Sequence, residues 1–228
     1  MRKIGPKPVA TFVVLVSCEA VVACVTTAFL VGDWVPENFR GITAVCAAVV
    51  LFYLFAIIVF RFIQRIAPLS VGEIAEASPA EFRAFLYTLH YLLLFNTLIF
   101  NPTIPVPLMR VILQMLGAQM GDNAYSSGIV MDPQFVEIGD DSIIGNGAMI
   151  VPHVIEGRTL GFYPVKIGKR VTVGARAVIM ADVEIGDDAT IAVQAVVLKG
   201  SRIPPGEVWG GTPARRLKAA VAEVEAGT

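Results

Sequence analysis

The stretch VKIGKRVTVGARAVIMADVEIGDDATIAVQAVVLKGSRI, from Val165 to Ile203, decides the fold because it places an aliphatic side chain at every sixth residue. A small or β-branched residue follows four positions after each of them up to Val197. A unit this short buries its single inward side chain only by stacking on the next unit. Gly-Asp, Gly-Asn and Gly-Lys pairs are expected to supply the unusual backbone angles of the turns. The repeat therefore predicts a prism with parallel sheets as faces, built on Ile167, Val173, Ile179, Ile185, Ile191, Val197 and Ile203.

The six-residue repeat also extends toward the N-terminus, but its phase changes once. Met120 and Ile150 share one phase and the residues from Ile167 onward share another, so five residues modulo six are inserted between them. We predict a loop at Pro152–Pro164, PHVIEGRTLGFYP, near whose start lies His153, the only histidine of the repeat region. A loop that leaves a regular scaffold is a common place for a functional site.

The N-terminal half is apolar enough to predict membrane-spanning helices. The whole chain is 55% hydrophobic and 16% charged, and its charges are sparsest before the repeats. Val9–Val31 and Gly41–Ile63 each provide an apolar run of the length that crosses about 30 Å of hydrocarbon. We predict a helical hairpin. A signal peptide is the alternative for the first run, which is long for one.

Basic residues indicate the orientation of this hairpin. The turn carries Arg40 alone, whereas the flanks carry Arg2, Lys3, Lys7, Arg61 and Arg65. The positive-inside rule then places both ends in the cytoplasm. The expected location is the inner (cytoplasmic) membrane, multi-pass, with the β-helix domain on the cytoplasmic side.

Two further helices are predicted between the hairpin and the repeats. Ser78-Pro-Ala-Glu81 has the form of a capping box and opens an apolar helix that runs to about Phe100. This helix is short for a span and rich in aromatic residues, which suits an interfacial or re-entrant position, and an amphipathic helix follows at about Pro107–Leu116. His90 is expected to be a packing histidine. Glu19, inside the first span, is either protonated and hydrogen-bonded to a neighbouring chain or part of a substrate path.

These elements divide the chain into four predicted parts. They are a two-helix transmembrane anchor at 1–68, interfacial helices at 69–117, the parallel β-helix at 118–217 and a tail at 218–228. The formal net charge of −1 gives no reason to expect a nucleic-acid partner. All three cysteines lie in apolar runs and are expected to be structural, and no zinc-type spacing of cysteine and histidine is present, so no metal is expected.

Two further stretches carry a family resemblance. Asp132–Asp140 reads DPQFVEIGD, and Pro204–Arg216 reads PPGEVWGGTPARR. With the repeat and the loop histidine, the region from roughly Gly117 to Leu217 resembles the hexapeptide-repeat acyltransferase family, in a membrane-anchored branch similar to the C-terminal domains of some peptide synthetases. The resemblance implies a left-handed β-helix that assembles as a homotrimer, with acetyl-coenzyme A in the groove between neighbouring prisms.

The resemblance also implies roles for individual residues. His153 is the expected general base, because neutral imidazole accepts a proton well at about pH 7. Glu156 or Asp132 would orient its ring, and spacing alone does not choose between them. The expected contacts of the coenzyme are backbone amides around Gly174, Ala175 and Ala192 and the cations Lys199, Arg202, Arg215 and Arg216.

The sequence thus predicts a membrane-anchored acyltransferase, with acetyl transfer as the leading reaction. The acceptor would be a hydroxyl or amine near the bilayer, on a glycan, a lipid-linked sugar or a lipid headgroup. An acyl-carrier protein is the alternative donor, and a non-catalytic trimeric scaffold for a membrane biosynthesis or export complex is the alternative from another class. A carbonic anhydrase of this fold would need three zinc histidines, and the repeat region has one.

Overall fold

The structure, a computed structural model, describes residues 2–32, 35–101 and 103–219. It divides into two compact units. The helical unit comprises Arg2–Leu69 and Ala75–Thr97, and the repeat unit comprises Ser70–Ile74 and the chain from Leu98 onward. Most of the predicted tail, from residue 220, lies outside the described residues.

Two long apolar helices open the helical unit. α1 (Pro6–Leu30) and α2 (Glu37–Ile66) contain the predicted spans except for Val31, and their most apolar windows have mean hydropathies of 2.3 and 2.8. Both are long and apolar enough to cross a membrane by length and composition. Large apolar side chains such as Val14 and Val50, 61% and 67% exposed, lie on their outer surface. The three cysteines are free and exposed on these helices rather than packed inside them.

A third helical segment follows. α3 (Pro79–His90), a π-helical turn (Tyr91–Phe95) and α4 (Asn96–Ile99) form it without a break. Its start is capped as predicted, because Ser78 Oγ accepts a hydrogen bond from the Glu81 N–H at 3.1 Å. At 21 residues and a mean hydropathy of 1.2, it is also long and apolar enough to cross a membrane. The segment is therefore longer than the apolar run on which the interfacial prediction rests.

Two polar side chains are buried in the helical unit. Nδ1 of His90 lies 2.8 Å from the Leu86 carbonyl oxygen, and its ring packs edge-on against Phe12 with 4.9 Å between ring centroids. This is the environment expected of a packing histidine. Glu19 is 3% exposed, and its carboxyl oxygens have no hydrogen-bond partner among the described residues. Burial without a partner disfavours the charged carboxylate.

The last helix belongs to the repeat unit. α5 (Val106–Leu116) buries Leu113 completely. Arg110 donates a hydrogen bond to the Gly121 carbonyl oxygen at 2.8 Å, and its guanidinium lies 5.5 Å from the centre of the Tyr125 ring. These contacts fix α5 on the first coil of the repeats.

The repeats form a parallel β-helix with three faces, each a sheet of short strands from successive coils. The first face contains β2 (Gln119–Met120), β5 (Val136–Ile138), β10 (Val165–Ile167), β13 (Glu184–Ile185) and β16 (Arg202–Ile203). The second contains β3 (Tyr125–Ser126), β6 (Ile143–Ile144), β11 (Thr172–Val173), β14 (Thr190–Ile191), β17 (Val208–Gly210) and the antiparallel β18 (Arg215–Lys218). The third contains β4 (Ile129–Val130), β7 (Met149–Ile150), β12 (Val178–Ile179) and β15 (Val196–Val197).

The strand register confirms the predicted repeat. Ile167 pairs with Ile185 and Ile185 with Ile203, so one coil consists of three hexapeptides, one on each face. Ile138 pairs with Ile167 across the interruption, and this interval exceeds a regular coil by one hexapeptide and five further positions, which is the predicted change of phase. The inward aliphatic residues from Ile138 to Ile203 are between 0 and 3% exposed. Their stacked side chains form the core of the prism.

The left-handed backbone conformation lies two residues after the glycines that were expected to supply it. Arg170 and Arg176, which follow Gly168 and Gly174, have φ angles of 55° and 58°. Asp182, in the third turn, has a φ angle of 59° although Met180 stands in the glycine position. Gly168 is not among the residues with positive φ, but a Cβ atom on it would lie 2.8 Å from the backbone nitrogen of Asp187. The expectation that these glycines supply the unusual backbone angles was therefore wrong. Glycine is needed here because the backbone of the next coil passes too close for a side chain.

Replacing Gly139 by valine is expected to lower the free energy of unfolding by about 2–3 kcal/mol through overpacking. The reason is that its Cβ atom would lie 2.7 Å from the carbonyl carbon of Gly168 on the next coil. Thermal unfolding followed by circular dichroism measures the effect, with Thr172→Val at an exposed strand position as the control. An unchanged midpoint in Gly139→Val would contradict the stacking of coils described here.

The inserted segment is a β-hairpin, so the prediction of a loop was wrong. β8 (His153–Glu156) pairs antiparallel with β9 (Thr159–Phe162), and β1 (Gly72–Glu73) adds a third strand beside β9. The Ile74 N–H also donates to the Leu160 carbonyl oxygen at 2.8 Å. The outer strand thus comes from a segment that precedes all the repeats in the chain. A local sequence pattern does not reveal such a partner.

Candidate active site

A histidine and an aspartate meet where the chain leaves the third face. β4 and β7 are neighbouring strands of that face, and Asp132 follows β4 as His153 follows β7. Nδ1 of His153 lies 2.5 Å from Oδ2 of Asp132. The Asp132 side chain is 4% exposed and that of His153 is 27% exposed. We call the prism edge between the third and first faces, which carries this pair, the histidine edge.

The hairpin and the turn beneath it hold the two side chains together. Asp132 has a left-handed backbone, with φ of 45°, and precedes a 3₁₀ helix at Pro133–Phe135. The Phe135 ring stacks on Phe162 with 5.2 Å between centroids and an angle of 13°. Phe162 is the residue of β9 that pairs with His153. This aromatic contact therefore ties the strand that pairs with His153 to the turn that carries Asp132.

The surroundings of His153 set its protonation. Burial of the ring lowers its pKa, but the hydrogen bond to Asp132 and the charge of that carboxylate outweigh burial and raise the pKa above the ordinary value. When the ring is neutral, Nδ1 carries the hydrogen donated to Asp132, and Nε2 is the nitrogen that accepts a proton. The pair therefore has the arrangement of an oriented general base.

The structure chooses between the two predicted partners of the histidine. Glu156 lies at the far end of β8, pairs with Thr159 and is exposed. Three residues of extended strand separate it from His153 by roughly 10 Å. Asp132 is the carboxylate beside the imidazole, and the prediction that Glu156 belongs to the site finds no support in this geometry.

Two more side chains at the histidine edge escaped the sequence reasoning. Nε2 of Gln134, in the 3₁₀ helix after Asp132, is buried and has no hydrogen-bond partner among the described residues. Tyr163 ends the inserted segment, and its N–H donates to the Pro152 carbonyl oxygen at 2.8 Å. The aromatic residues of the inserted segment could have pointed to Tyr163, whereas nothing in the sequence distinguishes Gln134.

The predicted amide contacts of a coenzyme lie on another edge. Gly174, Ala175 and Ala192 occupy turns between the second and third faces, which we call the glycine edge. The Gly174 N–H already donates to the Ile191 carbonyl oxygen at 2.8 Å, and the Ala192 N–H donates to that of Trp209 at 2.7 Å. Both amides therefore hold neighbouring coils together, which leaves Ala175 as the candidate amide of this set.

The predicted cations are distributed over different parts of the prism. Nζ of Lys199 lies 4.7 Å from the centre of the Tyr163 ring, at the histidine edge. Arg202, on the first face, pairs with Asp182 at 2.9 Å. Arg215 and Arg216 lie in β18, where Arg216 pairs with the buried Glu207 at 3.3 Å and Arg215 is exposed. The structure thus brings Lys199 to the edge that carries His153, and Arg202 reaches the same edge through its ion pair with Asp182.

The repeat region matches a known protein family. Residues 164–199 match the family described as bacterial transferase hexapeptide (six repeats). This match agrees with the family that the resemblance predicted for the repeats.

Within the described residues, no group of three or more histidine, cysteine, aspartate or glutamate side chains is placed to hold a metal ion.

Similar proteins come from several organisms. The chain is 27% identical over 109 residues to delta-poly-L-ornithine synthetase from Acinetobacter baumannii, covering 47% of this chain and 8% of that protein. It is 32% identical over 100 residues to serine acetyltransferase from Mycobacterium tuberculosis, covering 42% of this chain and 41% of that protein. A hexapeptide-repeat acetyltransferase from Vibrio cholerae, solved with acetyl coenzyme A, aligns with a TM-score of 0.49 at 21% identity, covering 66% of this chain and 94% of that one. The chain spans less than half the length of either curated relative.

Proposed function

We propose that this protein is a membrane-anchored acyltransferase that moves an acetyl group from acetyl-coenzyme A to a hydroxyl or amine near the bilayer. The carrying observation is the contact of His153 with Asp132 at the edge of a transferase-type hexapeptide prism. The serine acetyltransferase among the relatives supports acetyl transfer as the reaction. The acceptor belongs to the class of glycans, lipid-linked sugars or lipid headgroups.

The pair of side chains accounts for the proton movements of this reaction. Nε2 of His153 takes the proton of the acceptor as its oxygen or nitrogen bonds to the acyl carbon. The Asp132 carboxylate, hydrogen-bonded to Nδ1, stabilises the imidazolium that results. The imidazolium then returns the proton to the sulfur of the leaving thiolate, so the enzyme ends in its starting state.

The remaining coenzyme contacts suit a site shared between chains. Lys199 lies on the histidine edge, whereas Ala175 and Arg215 lie elsewhere on the same prism. A homotrimer with left-handed prisms would set one edge of each chain against a different edge of its neighbour, with the coenzyme in the groove between them. Native mass spectrometry of the detergent-solubilised protein tests this, and a monomer that retains activity would contradict it.

Replacing Lys199 by alanine is expected to weaken coenzyme A binding at least about tenfold, because a hydrogen bond between charged groups contributes roughly 1.5–3 kcal/mol. Titration of the full-length protein with coenzyme A measures the dissociation constant. Lys218→Ala, which removes an exposed lysine from β18, is the matched control. An equal effect in both variants would show that Lys199 acts only through overall charge.

Membrane anchoring is assigned to α1 and α2. Both segments that flank the third helical segment belong to the repeat unit, namely Ser70–Ile74 before it and the chain from Leu98 after it. The short link from Ala75 to Ser78 joins Ile74 to α3 and reaches at most about 14 Å. A crossing by the third segment would put its two ends on opposite sides of roughly 30 Å of hydrocarbon. We therefore place this segment at the cytoplasmic surface or re-entrant from it.

Cysteine-accessibility mapping tests this topology. In a background without native cysteines, Glu37→Cys at the start of α2 is expected to react with an impermeant maleimide added outside the inner membrane. Lys218→Cys in the repeat unit is expected to react only after the membrane is permeabilised. Reaction of Lys218→Cys from outside would show that the third segment crosses and that the repeat unit lies on the other side.

The scaffold alternative is favoured by one observation. The amides of Gly174 and Ala192 already donate within the prism, and Arg202 and Arg216 are ion-paired, so one chain offers an incomplete coenzyme site. A titration distinguishes the two functions. If the assembled protein does not bind coenzyme A at millimolar concentration, the scaffold hypothesis replaces the enzyme.

A further inference from the structure

The repeat unit contains a cleft of about 360 Å³ that the proposed reaction does not explain. It lies at the glycine edge, where the first two coils turn from the second to the third face. The volume is in the lower part of the usual range for small-molecule pockets, roughly 300–1,000 Å³. The apolar lining comprises Ile99, Phe100, Ile104, Val106, Met109 and Ile129.

One wall of the cleft is formed by described residues between α4 and α5, and hydrogen bonds join Asn101, Thr103 and Ile104 there. Asn101 Oδ1 accepts from the Thr103 N–H at 3.0 Å and from its hydroxyl at 2.6 Å. The Ile104 N–H donates to the Asn101 carbonyl oxygen at 3.4 Å. Met109 of α5 is 6% exposed and backs this wall. The described residues of this wall are therefore tied to one another, and most of its lining side chains are apolar.

The polar groups of the cleft are mostly satisfied by backbone. The Gly128 N–H donates to Ser126 Oγ at 3.2 Å, and the Ser127 hydroxyl donates to the Ile144 carbonyl oxygen at 3.1 Å. None of the described residues that line the cleft is charged. An occupant that offers apolar surface and no charge fits such a lining, because a charge there would lose its hydration without a partner.

The cleft and the His153 site lie at opposite ends of the same two strands. β4 begins at Ile129, in the lining, and leads to Asp132, while β7 leads to His153. Three residues of extended chain from Ile129 to Asp132 span roughly 10 Å. The outward side chains on this path, Ile129 and Met149, are half-buried and apolar. An elongated molecule along the third face would therefore reach from the cleft to the histidine.

The chain also connects the cleft to the apolar helices. Ile99 is the last residue of the third apolar helical segment and at the same time lines the cleft. With that segment at the membrane surface, as proposed above, Ile99 lies at the surface of the bilayer. A lipid molecule could then enter the cleft beside it.

We infer that the cleft binds the aliphatic chain of a membrane amphiphile whose hydroxyl- or amine-bearing head extends along Ile129 and Met149 to His153. This inference rests on the proposed function for the role of the amphiphile as acyl acceptor. Binding of the chain itself depends on the cleft alone.

Photocrosslinking tests the inference on the full-length protein in lipid nanodiscs. The probe is a decyl glucoside that carries a diazirine at the end of its alkyl chain, and adducts are located by peptide mass spectrometry. We expect adducts on the peptide that contains Met109, and excess octyl glucoside, but not glucose, should reduce them. Adducts confined to peptides of α1 and α2 would overturn the inference. Protection by palmitoyl-coenzyme A but not by octyl glucoside would also overturn it, because the cleft would then hold the chain of a donor.

Two variants make the test specific. Ile104→Trp fills the cleft and is expected to reduce the Met109 adduct about tenfold, whereas Val111→Trp, on the exposed side of α5, should leave it unchanged. Equal yields in both variants would overturn the cleft as the binding site. His153→Ala should keep the adduct although it loses acyl transfer. A cleft adduct in a protein that transfers no acetyl group would refute the proposed function and keep the binding site.

Discussion

Replacing His153 by alanine is expected to lower kcat for acetyl transfer about a thousandfold, within the range of roughly 10²–10⁴ that general base catalysis contributes. The reason is that, in the proposed mechanism, the variant removes the nitrogen that accepts the acceptor's proton, on the ring that contacts Asp132. The coenzyme should still bind with unchanged affinity, because the base does not need to touch it in the ground state. Single-turnover rates with labelled acetyl-coenzyme A measure the effect.

The matched control for this experiment is Ile155→Ala. Ile155 lies in the same strand as His153 and is 52% exposed. The control should keep nearly full activity, which shows that the hairpin tolerates truncation. If His153→Ala retained more than about a tenth of the rate, general base catalysis by this residue would be excluded.

Replacing Asp132 by asparagine is expected to reduce the plateau rate about a hundredfold and to shift the pH profile. In the proposed mechanism, transfer needs neutral imidazole, so the wild-type rate is expected to fall as pH drops through the raised pKa of His153. Without the carboxylate, burial alone acts on the ring and its pKa falls. The acidic limb of the profile should therefore move to lower pH, while the plateau falls because the Nδ1–H tautomer is no longer fixed.

Stability should depend on the same pair. Because the folded-state pKa of His153 is raised, the ion pair with Asp132 stabilises the fold fully below the unfolded-state pKa. This contribution is lost as pH rises through the raised pKa. The difference in melting temperature between wild type and Asp132→Asn should accordingly shrink as pH rises across that window.

The pH profile of the transfer rate has its own control in Glu156→Gln. A shift of the acidic limb of that profile in Glu156→Gln, and none in Asp132→Asn, would show that the structure assigns the wrong partner.

The sequence was sufficient to predict the prism and the place of its interruption. Both follow from one rule, because an aliphatic side chain at every sixth position is buried only if the coils stack. The pairing of Ile138 with Ile167 then gives the size of the insertion. The form of the insertion was not predictable, because its outer strand is β1, from a distant part of the chain.

The grouping of site residues was harder to predict for a geometric reason. The position of a residue within its hexapeptide determines whether its side chain points inward. The edge of the prism that a turn residue occupies depends instead on its position within the whole coil of three hexapeptides. Gly174 and Lys199 are separated by one coil plus about one face, so they lie on different edges. Asp132 and His153 are separated by little more than one full coil, and therefore meet.

The helices show the limits of composition. Hydropathy identifies α1 and α2 as long apolar helices, and the structure agrees. The third segment satisfies the same criterion at 21 residues, although residues on both sides of it belong to the repeat unit. Length and composition alone do not separate a span from a surface helix. Our proposal that this segment does not cross therefore rests on the attachment of its two ends.

The central claim, that His153 catalyses acetyl transfer to a membrane-proximal acceptor, is tested most directly by a labelling experiment. Detergent-purified wild type and His153→Ala are each incubated with isotope-labelled acetyl-coenzyme A and a total extract of lipids and soluble metabolites from the source cells, and the products are analysed by mass spectrometry. We predict that label enters a distinct hydroxyl- or amine-bearing species with the wild type alone. Equal labelling by both proteins, or no labelling together with no binding of the coenzyme, would contradict the claim.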